Sequence, residues 1–345
     1  GSGAPLHDVE VLARTVFDKG ERVSAVAYQQ PDDAINSRAT TLGDDSVLMK
    51  YLNPSTALVV TEGMDGEKSG SDTTLSRRSS NSSISTRLEV HLLDTVSSKL
   101  LYRSTIPNGA SPVSAVLIEN NVIVVYWNSL TKRTEVSSVA LFEGMIDKNG
   151  MTPWAAKSSA SIAAKHIANT RFSSFTAPLP MTVQKTYVLP KTVTTATSTI
   201  TQQGVAKKAL VVGTAGGQVF GIDRMLIDPR RPMENPTMAE KKDGLLKYEP
   251  FIAFTNVDCA THNYSLVEGP HTVVSASSRL ESSSIILSAS RLDVHFNRVI
   301  PSMAFDLLSN DFNYPLLTII LSALFALVVW MQRALTAKKK ARAWQ

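Results

Sequence analysis

The sequence predicts an all-β body followed by one C-terminal transmembrane helix. Over residues 47–218, short apolar or alternating runs rich in Val, Ile, Leu, Tyr and Thr recur between turn-like stretches, which is typical of β-strands. Helical periodicity is rare in the same region. Residues 312–332 form the exception, because they carry no formal charge and 316–331 are apolar except for Thr318 and Ser322.

Closely spaced runs indicate antiparallel hairpins. The runs are four to seven residues long, and 88–93 is followed by 99–104 after only five residues. Hairpin-linked strands are typical of a β-sandwich, barrel or propeller, and no repeat of fixed period chooses among these architectures. The predicted strands are 57–61, 88–93, 99–104, 113–118, 122–127, 136–142, 186–189, 209–212 and 218–222.

Two segments of the body are too polar or too rich in turn residues to form strands. Residues 63–87 contain many Ser, Gly and Asp and almost no apolar side chains, which predicts a disordered loop. Residues 228–250 are charged and interrupted by prolines, which predicts an ordered excursion on the surface. The glycines at 63–69 lack the spacing of a phosphate loop. The glycines at 213–217 lie between two predicted strands, so we expect a tight turn there instead of a dinucleotide-binding loop.

The uncharged stretch near the C-terminus is long enough to cross a bilayer. Its 21 residues reach about 31 Å as a helix, roughly the thickness of the hydrocarbon core. Tyr314 and Trp330 lie at its ends, where aromatic rings favour the headgroup region. We predict a juxtamembrane segment at 305–312, a transmembrane helix at 313–333 and a basic tail at 334–345. Ser322 and Ala323 are small residues at mid-span, which allows close packing against a partner helix.

The distribution of charge predicts the orientation of this helix. The chain has 35 Lys and Arg against 30 Asp and Glu, and five of the cations follow the span: Arg333, Lys338, Lys339, Lys340 and Arg342. Residues 1–331 hold 30 cations and 30 acids, so the body is neutral and predicts no nucleic-acid partner. Because cations favour the cytosolic side, we expect a cytosolic tail and a lumenal or extracellular body.

Two N-x-Ser/Thr sequons fit a lumenal body. They begin at Asn81 and Asn263, whereas a following proline excludes Asn53 and Asn235. A lumenal body requires a targeting signal, yet the first residues contain neither a charged nor an apolar leader segment. We therefore expect the chain to be part of a longer protein, with residues 1–35 as a linker or a segment of unassigned structure.

No catalytic, cofactor or metal site is predicted. The single cysteine, Cys259, excludes an internal disulfide and a multi-cysteine zinc site. The six histidines show no metal-ligand spacing, and neither G-x-S-x-G nor H-E-x-x-H occurs. Serines are numerous, so a Ser/His/Asp arrangement assembled in space stays open, although no motif favours it.

Several stretches of the sequence carry a resemblance to a known family. The most specific are Asp228-Pro229-Arg230-Arg231-Pro232 and the terminal Arg342-Ala343-Trp344. The others are 43–47, 51–54, 90–94, 125–128, 142–144, 187–190, 200–201, 204–205, 298–299, Pro301 and 305–306. In this order, from residue 43 to the end, the chain resembles the C-terminal part of fungal-type members of the ER membrane protein complex subunit 1 family.

This resemblance implies a lumenal β-propeller region at 36–304 and one transmembrane helix, within a multisubunit ER complex that inserts tail-anchored and multipass proteins and assists their folding. It implies a non-catalytic scaffold without a cofactor. The implied partners are other subunits of the complex, client membrane proteins and the lipid bilayer. For Asp228, Arg230 and Arg231, two interpretations stay open: a turn whose arginines pair locally, or a contact with a neighbouring lumenal subunit.

Other functions are compatible with the same sequence. A single-pass lumenal lectin or receptor would bind a glycan or peptide through the β-domain, and a membrane-tethered hydrolase would need a spatially assembled site. The basic tail also has two interpretations. It either meets anionic lipid headgroups or docks a cytosolic partner, for which Trp344 is the one specific hint.

Overall fold

The computed structural model describes residues 14–18, 20–30, 33–64, 86–147, 150–152, 172–255, 259–262, 264–302, 304–306 and 313–343. The chain divides into two compact units, Gly1–Ala304 and Phe305–Gln345. All of the described strands lie in the first unit, and the second contains one long helix.

The first unit is built from antiparallel strands, most of them connected as hairpins. The strands are β1 (Arg22–Tyr28), β2 (Ala39–Thr41), β3 (Val47–Lys50), β4 (Thr56–Met64), β5 (Thr86–Asp94), β6 (Leu100–Pro107), β7 (Gly109–Ile118), β8 (Asn121–Asn128), β9 (Arg133–Asp147), β10 (Gly150–Thr152), β11 (Met181–Leu189), β12 (Val193–Ser198), β13 (Ala209–Thr214), β14 (Val219–Asp223), β15 (Thr272–Ser277), β16 (Ser284–Ala289) and β17 (Val294–Val299). A 3₁₀ turn at Arg224–Ile227 and the short helix α1 (Met238–Lys242) follow β14.

These strands form four sheets. Sheet 1 has the order β1-β4-β5-β6, and sheet 2 has the order β2-β3-β9-β8-β7, with β10 and β11 also paired to β9. Sheet 3 is β12-β13-β14, and sheet 4 is β15-β16-β17. Strand β9 is 15 residues long and reaches β8, β3, β10 and β11, so it holds sheet 2 together.

The sheets stack face to face in chain order, with an apolar layer between each pair. Sheet 1 packs on sheet 2 through side chains such as Leu58, Leu88 and Tyr126. The layer between sheets 2 and 3 includes Ile123 and Leu210. The layer between sheets 3 and 4 consists of Val211, Val219, Ala260, Val273 and Ile286, with Val299 packed against it. Successive antiparallel sheets packed in this way are typical of the blades of a β-propeller.

The observed strands confirm the predicted all-β class. Each predicted strand lies within or largely overlaps an observed strand, because β-branched and other apolar residues bury at least one face of each sheet. The predicted turn at 213–217 connects β13 to β14, and 228–250 contains no strand. Two outcomes differ from the expected boundaries. β1 lies within residues 1–35, and β4 and β5 extend by pairing Gly63 with Arg87 and Met64 with Thr86, while 65–85 lie outside the described residues.

The second unit contains the helix α2 (Tyr314–Ala343). Its segment Tyr314–Lys340 contains an 18-residue window with a mean hydropathy of 2.2 and is long and apolar enough to cross a membrane. The helix begins one residue after the predicted start and continues past Arg333 through the basic residues to Ala343. The basic tail is therefore largely a continuation of the same helix.

Candidate functional site

The loop at Asp228–Pro232 is the most specific sequence feature of the body, and two of its side chains, Asp228 and Arg230, pair with each other. The Asp228 carboxylate accepts the backbone N–H of Arg230 at 2.9 Å and pairs with the Arg230 guanidinium at 2.8 Å. Tyr187 of β11 donates its hydroxyl to the Asp228 carbonyl at 2.6 Å. This geometry joins the loop to sheet 2.

Arg231 points into the protein instead of outward. It is 4% exposed, and its guanidinium donates to the carbonyl of Leu226 at 2.7 Å and to that of Lys247. The guanidinium carbon lies 5.7 Å from the centre of the Tyr187 ring, within range of a cation–π contact. Arg231 therefore connects both ends of the excursion to β11 and has the geometry of a structural residue.

Of the three predicted contact residues, Asp228 and Arg230 retain some exposure. Their side chains are 16% and 20% exposed, and Arg230 lines a cleft of about 520 Å³. Apolar side chains line much of the cleft, among them Leu42, Met145 and Val183. Arg230 thus pairs locally with Asp228, Arg231 binds backbone carbonyls outside the turn, and a contact with a neighbouring subunit stays a prediction.

A buried ion cluster, which the sequence did not indicate, connects five segments that are distant in sequence. The Glu119 carboxylate, in the turn between β7 and β8, lies 2.8 Å from Lys50 Nζ, 3.0 Å from Arg224 Nη1 and 3.6 Å from Lys208 Nζ. Lys208 also donates to the Asp33 carboxylate and, at 2.9 Å, to the carbonyl of Ala34. Arg224 completes the cluster by donating to the amide oxygens of Asn120 and Asn121 at 2.9 and 3.2 Å.

The charges of this cluster set the protonation of its acids. Burial by itself would raise the pKa of Glu119, but Arg224, Lys50 and Lys208 outweigh it and lower that pKa from 4.5 to about 2. For Asp33, burial dominates and raises the pKa, with Lys208 offsetting it only in part. Three cations around one ionised carboxylate hold sheets 2 and 3 and the loop after β1 in one arrangement.

The predicted membrane-anchoring residues lie along α2. Tyr314 and Trp330 are 55% and 69% exposed, and Arg333, Lys338, Lys339, Lys340 and Arg342 are exposed on its C-terminal half. Ser322 and Ala323 are exposed at mid-helix, and the Ser322 hydroxyl donates to the carbonyl of Thr318 at 2.7 Å. Because this bond satisfies the hydroxyl within the helix, Ser322 presents a small surface without an unpaired donor.

Asn81 and Asn263, the predicted glycosylation sites, lie outside the described residues.

Within the described part of the chain, no group of three His, Cys, Asp or Glu side chains is arranged to hold a metal ion. His91 is buried against Phe17, with ring centres 5.1 Å apart, and burial together with the charge of Arg103 lowers its pKa. His295 stacks on Tyr264.

Comparison with known proteins gives relatives over most of the chain. The chain is 29% identical over 328 residues to ER membrane protein complex subunit 1 of Gallus gallus, which covers 94% of this chain and 29% of the relative. It is 25% identical over 327 residues to the protein of the same name in Saccharomyces cerevisiae, covering 92% of this chain and 39% of that one. The chain therefore spans about three to four tenths of the length of these relatives.

A fold comparison finds a weaker similarity. The chain aligns with BBS1N, crystallised in complex with ARL6DN and soaked with lead, at a TM-score of 0.33 and 12% identity, over 87% of this chain and 68% of that one. This similarity carries no functional argument.

Residues 5–302, in contrast, match the family described as ER membrane protein complex subunit 1, second beta-propeller, in agreement with the four stacked sheets. The chain belongs to the ER membrane protein complex subunit 1 family, whose second β-propeller accounts for its β-sheet body.

Proposed function

We propose that this chain acts as a non-catalytic scaffold subunit of the ER membrane protein complex, which supports the insertion and folding of tail-anchored and multipass membrane proteins. The observation that carries the proposal is the family match over residues 5–302. The names of the Gallus gallus and Saccharomyces cerevisiae relatives point to the same complex. The proposed partners are the other subunits, client membrane proteins and the lipid bilayer.

The use of the charged side chains in the body supports a scaffold. Glu119, Lys208 and Arg231, all of them buried, make ion pairs or backbone hydrogen bonds that join separate segments of the fold. These buried charged groups stabilise one arrangement of the sheets. Any rearrangement that separated an ion pair would leave a buried charge without its partner, which costs free energy. A rigid lumenal body with such internal connections is suited to holding other subunits in place.

The proposal includes a single-pass topology with the β-sheet body in the ER lumen and the C-terminus in the cytosol. The cations that follow the apolar part of α2 support this orientation. Asn81 and Asn263 are the proposed glycosylation sites of the lumenal body. Asp228 and Arg230 are the proposed contact with a neighbouring lumenal subunit, since both keep an exposed fraction and Arg230 lines the cleft.

Purification in a mild detergent tests the proposed function. The protein is tagged, expressed in its own cells and purified, and its stoichiometric partners are identified by mass spectrometry. An unrelated single-pass ER protein with the same tag serves as the control for non-specific capture. We expect a set of membrane proteins at fixed ratio that the control lacks. Recovery of the protein as a lone chain would contradict the scaffold function and favour a receptor-like binding protein.

A further inference from the structure

The outer edge of β11 is open over the first part of the strand. Among the described strands, β11 pairs only with β9, so its other edge has no neighbouring strand. Near the end of β11 this edge is occupied, because Val188 donates its N–H to the carbonyl of Pro250 at 2.6 Å and accepts the N–H of Ile252 at 3.0 Å. The edge therefore already binds one extended segment, and these two bonds show which backbone groups point away from β9.

The remaining backbone groups of this edge have no partner. Backbone groups of successive residues point alternately to the two sides of a strand, so those of every second residue from Val188 back to Thr182 point away from β9. The Thr186 carbonyl accepts the hydroxyl of Tyr248 at 2.6 Å. Within the part of the chain that the structure describes, the Thr186 N–H and both backbone groups of Gln184 and Thr182 make no hydrogen bond. An open edge of this kind is a template for a further strand.

The cleft of about 520 Å³ lies next to this edge and is lined by side chains of the same strand. Val183 and Lys185 line it, whereas Gln184 points to the other face of sheet 2. Val183 packs with Leu42 and Met145 against a buried apolar cluster, so one wall of the cleft is apolar. A strand added to the edge would direct every second side chain to this face of the sheet. An apolar side chain of the added strand fits this wall.

Lys185 gives the cleft a charge that can select its ligand. The side chain is half-buried, and its Nζ lies 4.9 Å from the centre of the Tyr248 ring. Among the described residues, no carboxylate lies within 4 Å of this Nζ. The acids that line the cleft, Asp44, Glu240 and Asp243, each accept a backbone N–H. Lys185 therefore offers an incoming carboxylate a cation that no described acid engages.

We propose that the edge of β11 between Thr182 and Thr186 binds an extended segment of another subunit, which joins sheet 2 as an additional β-strand. The segment places an apolar side chain in the cleft and an acidic side chain next to Lys185. Main-chain hydrogen bonds hold such a segment, and its alternate side chains give specificity. The partner is a subunit of the complex, so the binding of this segment rests on the proposed function. Arg230, part of the proposed subunit contact, lines the same cleft.

Site-specific photocrosslinking identifies the segment that occupies this edge. The crosslinking residue p-benzoylphenylalanine replaces the exposed Thr182 in the tagged subunit in its own cells, and mass spectrometry identifies the crosslinked peptide. Leu130, which is 73% exposed in the turn between β8 and β9, is the matched exposed control. Val299, which packs in the layer between sheets 3 and 4, is the control for crosslinking efficiency. We expect position 182, but not position 130, to crosslink to one co-purifying subunit, in a segment with alternating apolar residues and an acid.

Two variants at Thr182 separate the backbone from the side chain. Thr182→Pro removes an N–H that β9 does not use, so sheet 2 should remain intact while the added strand loses a hydrogen bond and meets the proline ring. Thr182→Ala keeps this N–H. The crosslinked subunit should be recovered about tenfold less with Thr182→Pro and at the wild-type ratio with Thr182→Ala. Quantitative mass spectrometry measures this ratio, and wild-type ratios of the other subunits show that the variants fold.

A charge reversal tests the same edge without a change in the backbone. Lys185→Glu should lower the recovery of the crosslinked subunit by about tenfold, because it places a like charge next to the acidic side chain of the bound segment. Lys207→Glu is the matched control, since Lys207 is exposed and lies outside β11. This control should leave the recovery unchanged.

Several results would overturn the proposal. They are a crosslink from position 182 to the same polypeptide, to a second copy of the chain or to a lipid, and equal recovery of the crosslinked subunit with Thr182→Pro and Thr182→Ala. A complete complex that crosslinks from position 299 but not from position 182 would overturn the binding of the segment alone. Recovery of the tagged protein as a lone chain would overturn the proposed function together with this binding site.

Discussion

Glu119 shows how a single residue can determine the packing of several elements. Its carboxylate receives three cations from segments that are far apart in sequence, and its side chain is only 8% exposed. Lys208, whose side chain is fully buried, has Glu119 and Asp33 as its two acidic partners in the cluster. The loss of the Glu119 charge would therefore leave Lys50, Arg224 and Lys208 with one carboxylate fewer in a region of low dielectric.

Replacing Glu119 with Gln is expected to destabilise the body by about 3 kcal/mol, because breaking a buried ion pair leaves an uncompensated charge. The effect should depend on pH. The pKa of Glu119 is lowered in the folded state to about 2 from 4.5, so its contribution is complete above about pH 4.5 and is lost as the pH falls towards 2. Urea unfolding of the protein in detergent, followed by tryptophan fluorescence, measures the difference between wild type and variant.

Glu234→Gln is the matched control for this prediction, because Glu234 is exposed. It should change the free energy of unfolding by less than about 0.5 kcal/mol at any pH. Asp33 titrates in both proteins, so comparing the wild type with Glu119→Gln largely removes its contribution. If the two proteins differed equally at pH 7 and pH 3, the charge of Glu119 would not be the origin of the stabilisation.

The ion cluster also marks a limit of sequence-based prediction at the scale of residues. Asp33 and Lys208 are 175 positions apart, and Glu119 and Arg224 are 105 apart. Nothing in the local pattern distinguishes these residues from ordinary surface charges. The Asp228 loop was identifiable, because its composition is specific, but the burial of Arg231 against Tyr187 follows only from the packing of the excursion on sheet 2.

At the scale of elements, the sequence predicted best where a strand is a continuous run of buried β-branched and aromatic residues. The run at 122–127 corresponds to β8, in which both faces are buried and all six residues are β-branched or aromatic. β1 was missed because its pairing with β4 shifts between Val23 and Ala25, which breaks the alternation of the exposed and covered side chains. The stacking order of the sheets depends on long-range contacts and has no signature in the local sequence.

The mid-helix residues of α2 give a prediction at the same scale. Replacing Ser322 and Ala323 with Leu should leave the helix intact, since Leu is a good helix former and the Ser322 hydroxyl bonds only within its own helix. The larger Leu side chains at a close helix contact should lower the affinity for a partner helix by roughly tenfold. Quantitative mass spectrometry of the purified complex measures the loss of partner subunits.

The matched control replaces Val328 and Val329 of the same helix with Leu, because those positions already carry branched apolar side chains. This variant should retain its partners. Complete assembly of the Ser322→Leu, Ala323→Leu variant would contradict close packing at mid-span and assign α2 to membrane anchoring alone.

At the scale of the whole molecule, the two units differ sharply in charge and exposure. Residues 1–331 hold equal numbers of cations and acids, whereas all the formal charges after residue 332 are positive. The apolar segment between them is exposed along its length, as expected for a helix whose surroundings are lipid or other membrane helices. This distribution is the basis of the proposed orientation, in which the basic end of α2 faces the cytosol.

The proposed direction predicts the outcome of protease protection in sealed ER microsomes. An epitope after Gln345 should be digested without detergent, because the basic end of α2 faces the cytosol, while an epitope in the body should survive until detergent is added. Endoglycosidase treatment should increase the mobility of the wild type but not of an Asn81→Gln, Asn263→Gln variant if these are the modified sites of the lumenal body. The body epitope after detergent is the control for protease activity. Digestion of the body in intact microsomes would reverse the topology and would remove a lumenal scaffold from the possible functions of this chain.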